Sequence, residues 1–123
     1  MQIIEAIDKV DELKPNAYSQ AEKIGWLSDL DGMIKRNVID THEGGDLVNF
    51  WGYDEDTPLE TSLLVGAPYE EIYTLWLESK IDYHNREYAS YNNTTIRFND
   101  IYSQFEMDYN RNNRPLSRKY RYF

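Results

Sequence analysis

Few side chains in this chain have both the type and the spacing that chemistry requires. There are two histidines, His42 and His84, and no cysteine. The histidines fall at different predicted helix ends and in no His-Glu-x-x-His pattern, so a structural or solvent-facing role is expected instead of metal ligation. The lack of cysteine excludes disulfides, thiolate metal sites and cysteine nucleophiles. The acidic turn Asp54-Glu55-Asp56 invites a calcium reading, but Pro58 stands at the fifth loop position, and neither the glycine of the sixth nor the glutamate of the twelfth is present. Asp29 with Asp31, and Glu70 with Glu71, offer paired carboxylates. Adjacent and alternate helix positions point apart, however, so these pairs read as a solvated face and not as an acid–base dyad. No nucleophile elbow, phosphate-cradling glycine loop or dinucleotide fingerprint occurs, since Gly44-Gly45 ends a predicted helix instead of opening one. The expectation is a chain without catalytic residues, metal or cofactor.

The elements that carry these residues can be read from periodicity. At 123 residues the chain is one domain's worth of material, and 41% hydrophobic residues with 15% aromatic are enough for a core. Ile3, Ile7, Val10 and Leu13 recur at helical spacing, predicting a helix over 2–14 that Pro15 ends. Ser19 with Glu22 forms a capping box for a second helix, whose face (Ile24, Leu27, Leu30 or Asp31, Ile34, Val38) persists to about Thr41. Pro68, Glu70 and Glu71 mark the first turn of a third helix running to about His84, with Tyr69, Ile72, Trp76 and Tyr83 on its face. The strongest period is Tyr88, Tyr91, Thr95, Phe98, Tyr102, Phe105 and Tyr109, stepping by three and four. It predicts a fourth helix over 85–112, capped by Asn85 and about 42 Å long. That matches or exceeds the diameter of about 35 Å expected for a compact domain of this size.

The fold class is therefore mainly α: an elongated four-helix bundle over residues 1–113, with two appendages. Residues 43–67 lose the helical period and gain glycines and Pro58, which predicts a protruding arm of partial strand character. Residues 114–123 form a basic, aromatic C-terminal tail predicted to lie outside the core.

The formal charge of -9 conceals a division between body and tail. The tail region 111–123 holds Arg111, Arg114, Arg118, Lys119 and Arg121 with no acid, a charge of +5, leaving residues 1–110 with eight basic against 22 acidic residues, or -14. Such a body repels nucleic acid, and the tail attracts acidic surfaces. Nine of eleven tyrosines fall from Tyr69 onward. Core burial is expected for Tyr88, Phe98 and Phe105, whereas Trp51, Tyr53, Tyr120, Tyr122 and Phe123 are expected to contact neighbouring subunits or a partner. No apolar run approaches the roughly 18 residues of a membrane span. The N-terminus also lacks the pattern of a signal peptide, so no membrane partner is expected.

Several short segments together carry a resemblance: Val-Asp-Glu-Leu-Lys-Pro-Asn (10–16), Lys-Ile-Gly-Trp-Leu-Ser-Asp-Leu-Asp-Gly (23–32), Thr-His-Glu-Gly-Gly (41–45), Pro-Tyr-Glu-Glu-Ile-Tyr (68–73) and Tyr-Asn-Asn-Thr (91–94). In this order, over about residues 1–115, the chain resembles the small head-tail connector, or adaptor, proteins of tailed phages and prophages of Gram-positive bacteria. The resemblance implies a structural virion protein of the neck, assembled in the host cytoplasm. It would form a ring, usually a dodecamer, beneath the portal protein, join it to the stopper or tail-completion protein, and extend the channel through which double-stranded DNA passes without specific binding. On this reading the tail residues Arg114, Leu116, Arg118, Lys119, Tyr120, Arg121, Tyr122 and Phe123 dock on the portal or another partner. The arm residues Phe50, Trp51, Tyr53, Leu63 and Leu64 contact the next subunit. The alternatives are another neck component, such as a stopper or tail terminator, and an acidic DNA-mimic regulator.

Overall fold

The computed structural model describes residues 1–116. Four α-helices carry the fold, α1 (Ile3–Leu13), α2 (Gln20–Asn37), α3 (Glu71–His84) and α4 (Tyr88–Asn112), with short 3-10 turns at Ile39–Thr41 and Gly45–Leu47. The chain is mainly helical and bundle-like. Successive helices run antiparallel, as the ties at their ends require. Lys14, after the end of α1, pairs with Asp82 near the end of α3, and the Met1 amino group pairs with Glu70 just before α3. Trp76 of α3 donates its indole N–H to the Trp26 carbonyl of α2 at 2.8 Å. Tyr83 meets Tyr91 across the α3–α4 turn at 5.5 Å between ring centroids.

Local signals explain most helix ends. The Glu5 carboxylate accepts the Gln2 N–H at 2.7 Å at the start of α1. At the start of α2 the predicted box forms, the Glu22 N–H donating to Ser19 Oγ at 3.1 Å and the Ser19 N–H to the Glu22 carboxylate at 3.3 Å. Three boundaries differ from the sequence reading. α2 ends at Asn37, short of Thr41, and a 3-10 turn over Ile39–Thr41 follows it. α3 begins at Glu71, with Pro68 in the turn before it. Asn85 closes α3 instead of capping α4, and Arg86, at a φ of 62°, makes the reversal before α4 starts at Tyr88.

The core is built round α3. Ile72, Tyr73, Thr74, Leu75, Leu77, Ser79, Ile81 and Asp82 are all buried, and a helix covered on so many sides has no single apolar stripe to read. α1 contributes Ile3, Ala6, Ile7 and Val10, and α2 contributes Ile24, Leu27, Leu30 and Ile34. Each fully buried Leu or Ile stabilises the fold by roughly 1.5–3 kcal/mol. On α4 the predicted seam buries Phe98 and Phe105, while Tyr91, Tyr102 and Tyr109 are half-buried. Tyr88 is 55% exposed, against its core assignment, because it opens the helix just past the turn and, among the described residues, its ring meets only that of Tyr83.

Residues 43–67 differ most from expectation. No strand occurs among the described residues; the segment carries only the isolated bridge Gln2–Ser62. Nor does it protrude as a whole. The Ile3 and Ile4 N–H groups donate to the Thr61 and Leu59 carbonyls, and the Leu63 N–H donates to the Met1 carbonyl, each within 3.0 Å. Leu63 and Val65 enter the core. The unpaired amides at the start of α1 thus find acceptors in the connecting segment, which lies against the bundle.

Candidate interaction surface

Asp31 holds the connecting segment in place. It lies on α2, wholly buried, and accepts three hydrogen bonds: from the Tyr73 hydroxyl on Oδ1 at 2.6 Å, and from the Tyr53 hydroxyl at 2.6 Å and the Leu64 N–H at 3.1 Å on Oδ2. The Tyr73 hydroxyl in turn accepts the Val65 N–H at 2.7 Å. One carboxylate thus fixes both limbs of the segment, at Tyr53 and at Leu64-Val65. Burial raises the Asp31 pKa above the ordinary 3.8, and its hydrogen bonds from Tyr53, Tyr73 and Leu64 oppose that rise. Burial and the adjacent carboxylate push both phenols well above their usual range. The assignment of Asp31 to a solvated face is therefore corrected. Its neighbours in space lie 22 and 42 residues away in sequence, beyond what local spacing reveals.

Between these anchors the segment presents a knob. The Tyr53 N–H donates to Ser28 Oγ at 2.9 Å, and Phe50 packs edge-on against Tyr53 at 5.1 Å. Trp51, between these two residues in sequence, is 93% exposed, and Leu47 is 81% exposed. Gly52, at a φ of 90°, supplies the backbone turn beside Trp51. The acidic turn follows directly. Asp54 accepts the Asp56 N–H at 2.9 Å and the Thr57 hydroxyl at 3.2 Å, so its carboxylate shapes the turn.

The five predicted arm contacts therefore separate. Trp51 is available to a partner, and Phe50, Tyr53 and Leu64 are half-buried supports. Leu63 is corrected: at 6% exposure it belongs to the core and offers no surface to a neighbour.

Of the tail residues, Arg114 and Leu116 are described, and both are fastened. The Glu43 N–H donates to the Arg114 carbonyl at 2.8 Å, the Leu116 N–H donates to the Thr41 carbonyl at 3.0 Å, and Pro115 bridges His42. His42 is buried there. Its Nδ1 lies 2.6 Å from the Val38 carbonyl and its Nε2 meets the Asn110 amide at 2.6 Å, with Tyr109 edge-on at 4.8 Å. Arg118, Lys119, Tyr120, Arg121, Tyr122 and Phe123 lie outside the described residues. His84 is exposed and stacks on Trp26 at 5.5 Å.

A second exposed aromatic feature had no clear signal in the sequence. Between α3 and α4 a groove of about 360 Å³ is lined by Trp76, Tyr83, Tyr91 and Phe98, with Lys80 and Thr95 among its other walls. Its rings lie on the two helix faces that periodicity predicts separately, Trp76 and Tyr83 on α3 and Tyr91 and Phe98 on α4, and the packing of the helices brings them together. Comparison with protein-family models, with curated proteins and with solved structures finds no match to this chain.

Proposed function

We propose that this protein is a structural subunit of a phage neck, assembling as a ring under the portal and joining the DNA-filled head to the stopper or tail. The reading carries over the adaptor resemblance of segments 10–16, 23–32, 41–45, 68–73 and 91–94. The observation that supports it best is the seated knob: Trp51 is almost fully exposed while Tyr53, Ser28 and Asp31 hold the backbone beside it. An exposed aromatic anchor on a pre-arranged loop is what a recurring protein contact uses. The body charge of -14 over residues 1–110 suits a channel that DNA crosses without adhering. The basic tail is then the element that engages an acidic or amphipathic surface of the portal or its neighbour. A role in catalysis forms no part of the reading.

Mixing the purified chain with portal protein is expected to give a co-assembly detectable by light scattering, and its absence counts directly against the adaptor role. Removing residues 117–123 is expected to weaken that attachment with the helical circular dichroism unchanged. The cut belongs after Leu116, because residues 114–116 are paired with the bundle. The body charge also favours a second reading, an acidic mimic of DNA, for which a stable monomer that inhibits a DNA-binding enzyme is the distinguishing result. A stopper or tail terminator, more often strand-rich, fits a chain with four helices less well.

A further inference from the structure

We infer that Trp51 of one copy seats in the α3–α4 groove of a second copy, so that unlike faces of the same chain meet head to tail. The contact deepens the ring reading above and takes its biological setting from it. Knob and hole are matched in two respects. The first is shape and apolar character. The groove walls are aromatic rings already in contact, Trp76 with Phe98 at 5.3 Å and Tyr83 with Tyr91 at 5.5 Å, and they leave about 360 Å³ open. An indole is the side chain that gains most from such a site.

The second is charge. Among the described lining residues Lys80 is the only charged one, its ammonium 4.6 Å from the centre of the Trp76 ring. The knob is followed at once by Asp54, Glu55 and Asp56, all exposed. Docking the knob brings that acidic turn toward the groove's cation.

In its own chain the knob stands outside the groove: Trp51 is 93% exposed and its neighbour Tyr53 is anchored on Ser28 and Asp31 of α2, whereas the groove is lined by residues of α3 and α4. A contact between unlike patches is heterologous, and it propagates until rotation closes it into a ring.

The test is sedimentation of the full chain over a range of concentrations. Wild type is expected to associate reversibly. Trp51→Ala, which removes the knob, and Thr95→Trp, which fills the groove, are each expected to raise the dissociation constant at least about tenfold with melting curves unchanged. An equimolar mixture of the two is expected to form 1:1 pairs and nothing larger, since one intact knob meets one intact groove. If Thr95→Trp does not fold, Asn99→Trp on the exposed rim blocks the same groove. Lys80→Glu is expected to weaken association, and Asp56→Lys to restore part of it. Knob and groove variants that assemble like wild type overturn the pairing and leave the ring reading standing. A wild-type chain that is monomeric at about 1 mM overturns the pairing and removes self-assembly from the ring reading as well.

Discussion

Asp31 and Asp82 are both wholly buried, and the fold keeps them by different means. Asp82, on α3, is paired with the Lys14 ammonium and accepts the Thr94 hydroxyl at 3.2 Å. Asp31, on α2, pairs with no cation among the described residues; two phenols and one backbone N–H hold it. The first arrangement ties helix to helix at one end of the bundle. The second ties a long connection to the bundle and sets where Trp51 stands. An ion pair is sensitive to loss of either charge, whereas a carboxylate satisfied by neutral donors makes its environment sensitive to protonation. Architecture and surface presentation thus depend on separate nodes.

That separation can be tested by unfolding in urea, starting from the largest effect. Lys14→Ala leaves Asp82 buried without its cation and is expected to destabilise by about 3 kcal/mol, whereas the double change Lys14→Met with Asp82→Leu is expected to recover most of the loss. At the other node, Tyr73→Phe is expected to lose about 2 kcal/mol, because its hydroxyl serves both Asp31 and the Val65 N–H. Tyr53→Phe, at a half-buried position, is expected to lose about 1 kcal/mol. A larger loss from Tyr53 than from Tyr73 contradicts the proposed hierarchy within the node.

The pH dependence is smaller and has a defined sign. Burial raises the folded pKa of Asp31 above 3.8, so over the window from there to the raised value the folded chain holds more protons than the unfolded one. The stabilisation is fully present below the unfolded pKa and is lost as pH rises through the folded one. Asp31→Asn cannot titrate and is expected to flatten that component in urea midpoints compared at successive pH values. An identical slope in both proteins removes Asp31 as its source. Smallest of all, Trp51→Ala is expected to change stability by less than about 0.5 kcal/mol, since the ring is exposed. A loss above 1 kcal/mol would show that Trp51 belongs to the fold and not to its presentation surface.

The helical part of the fold was legible because its signals are local. Pro15, the Ser19–Glu22 box and the Phe98–Phe105 seam each act over a few residues, and each appears where the spacing puts it. α3 was found as a helix but not as the centre, because burial on nearly all sides erases the stripe that periodicity detects. The segment 43–67 was legible only as non-helical. Its placement depends on Asp31, on Tyr73 and on the first turn of α1, none of which is near it in sequence. The exposure of Trp51 was legible because an aromatic on a non-helical segment has no helical core face to join, and the ring stands 93% exposed. The α3–α4 groove went unrecognised because half its wall comes from α3, whose ring positions only the pairing with α4 brings together.

The fastening of residues 114–116 beside 41–43 also determines how the bundle bears tension. The two hydrogen bonds of that antiparallel pairing lie side by side. A pull on Leu116 along the line of residues 114–116 loads them in shear, so they resist together and not one after another. Force that passes this pair reaches His42, which is tied to α4 through Asn110 and to the end of α2 through the Val38 carbonyl. Two helices therefore share the load at this one point.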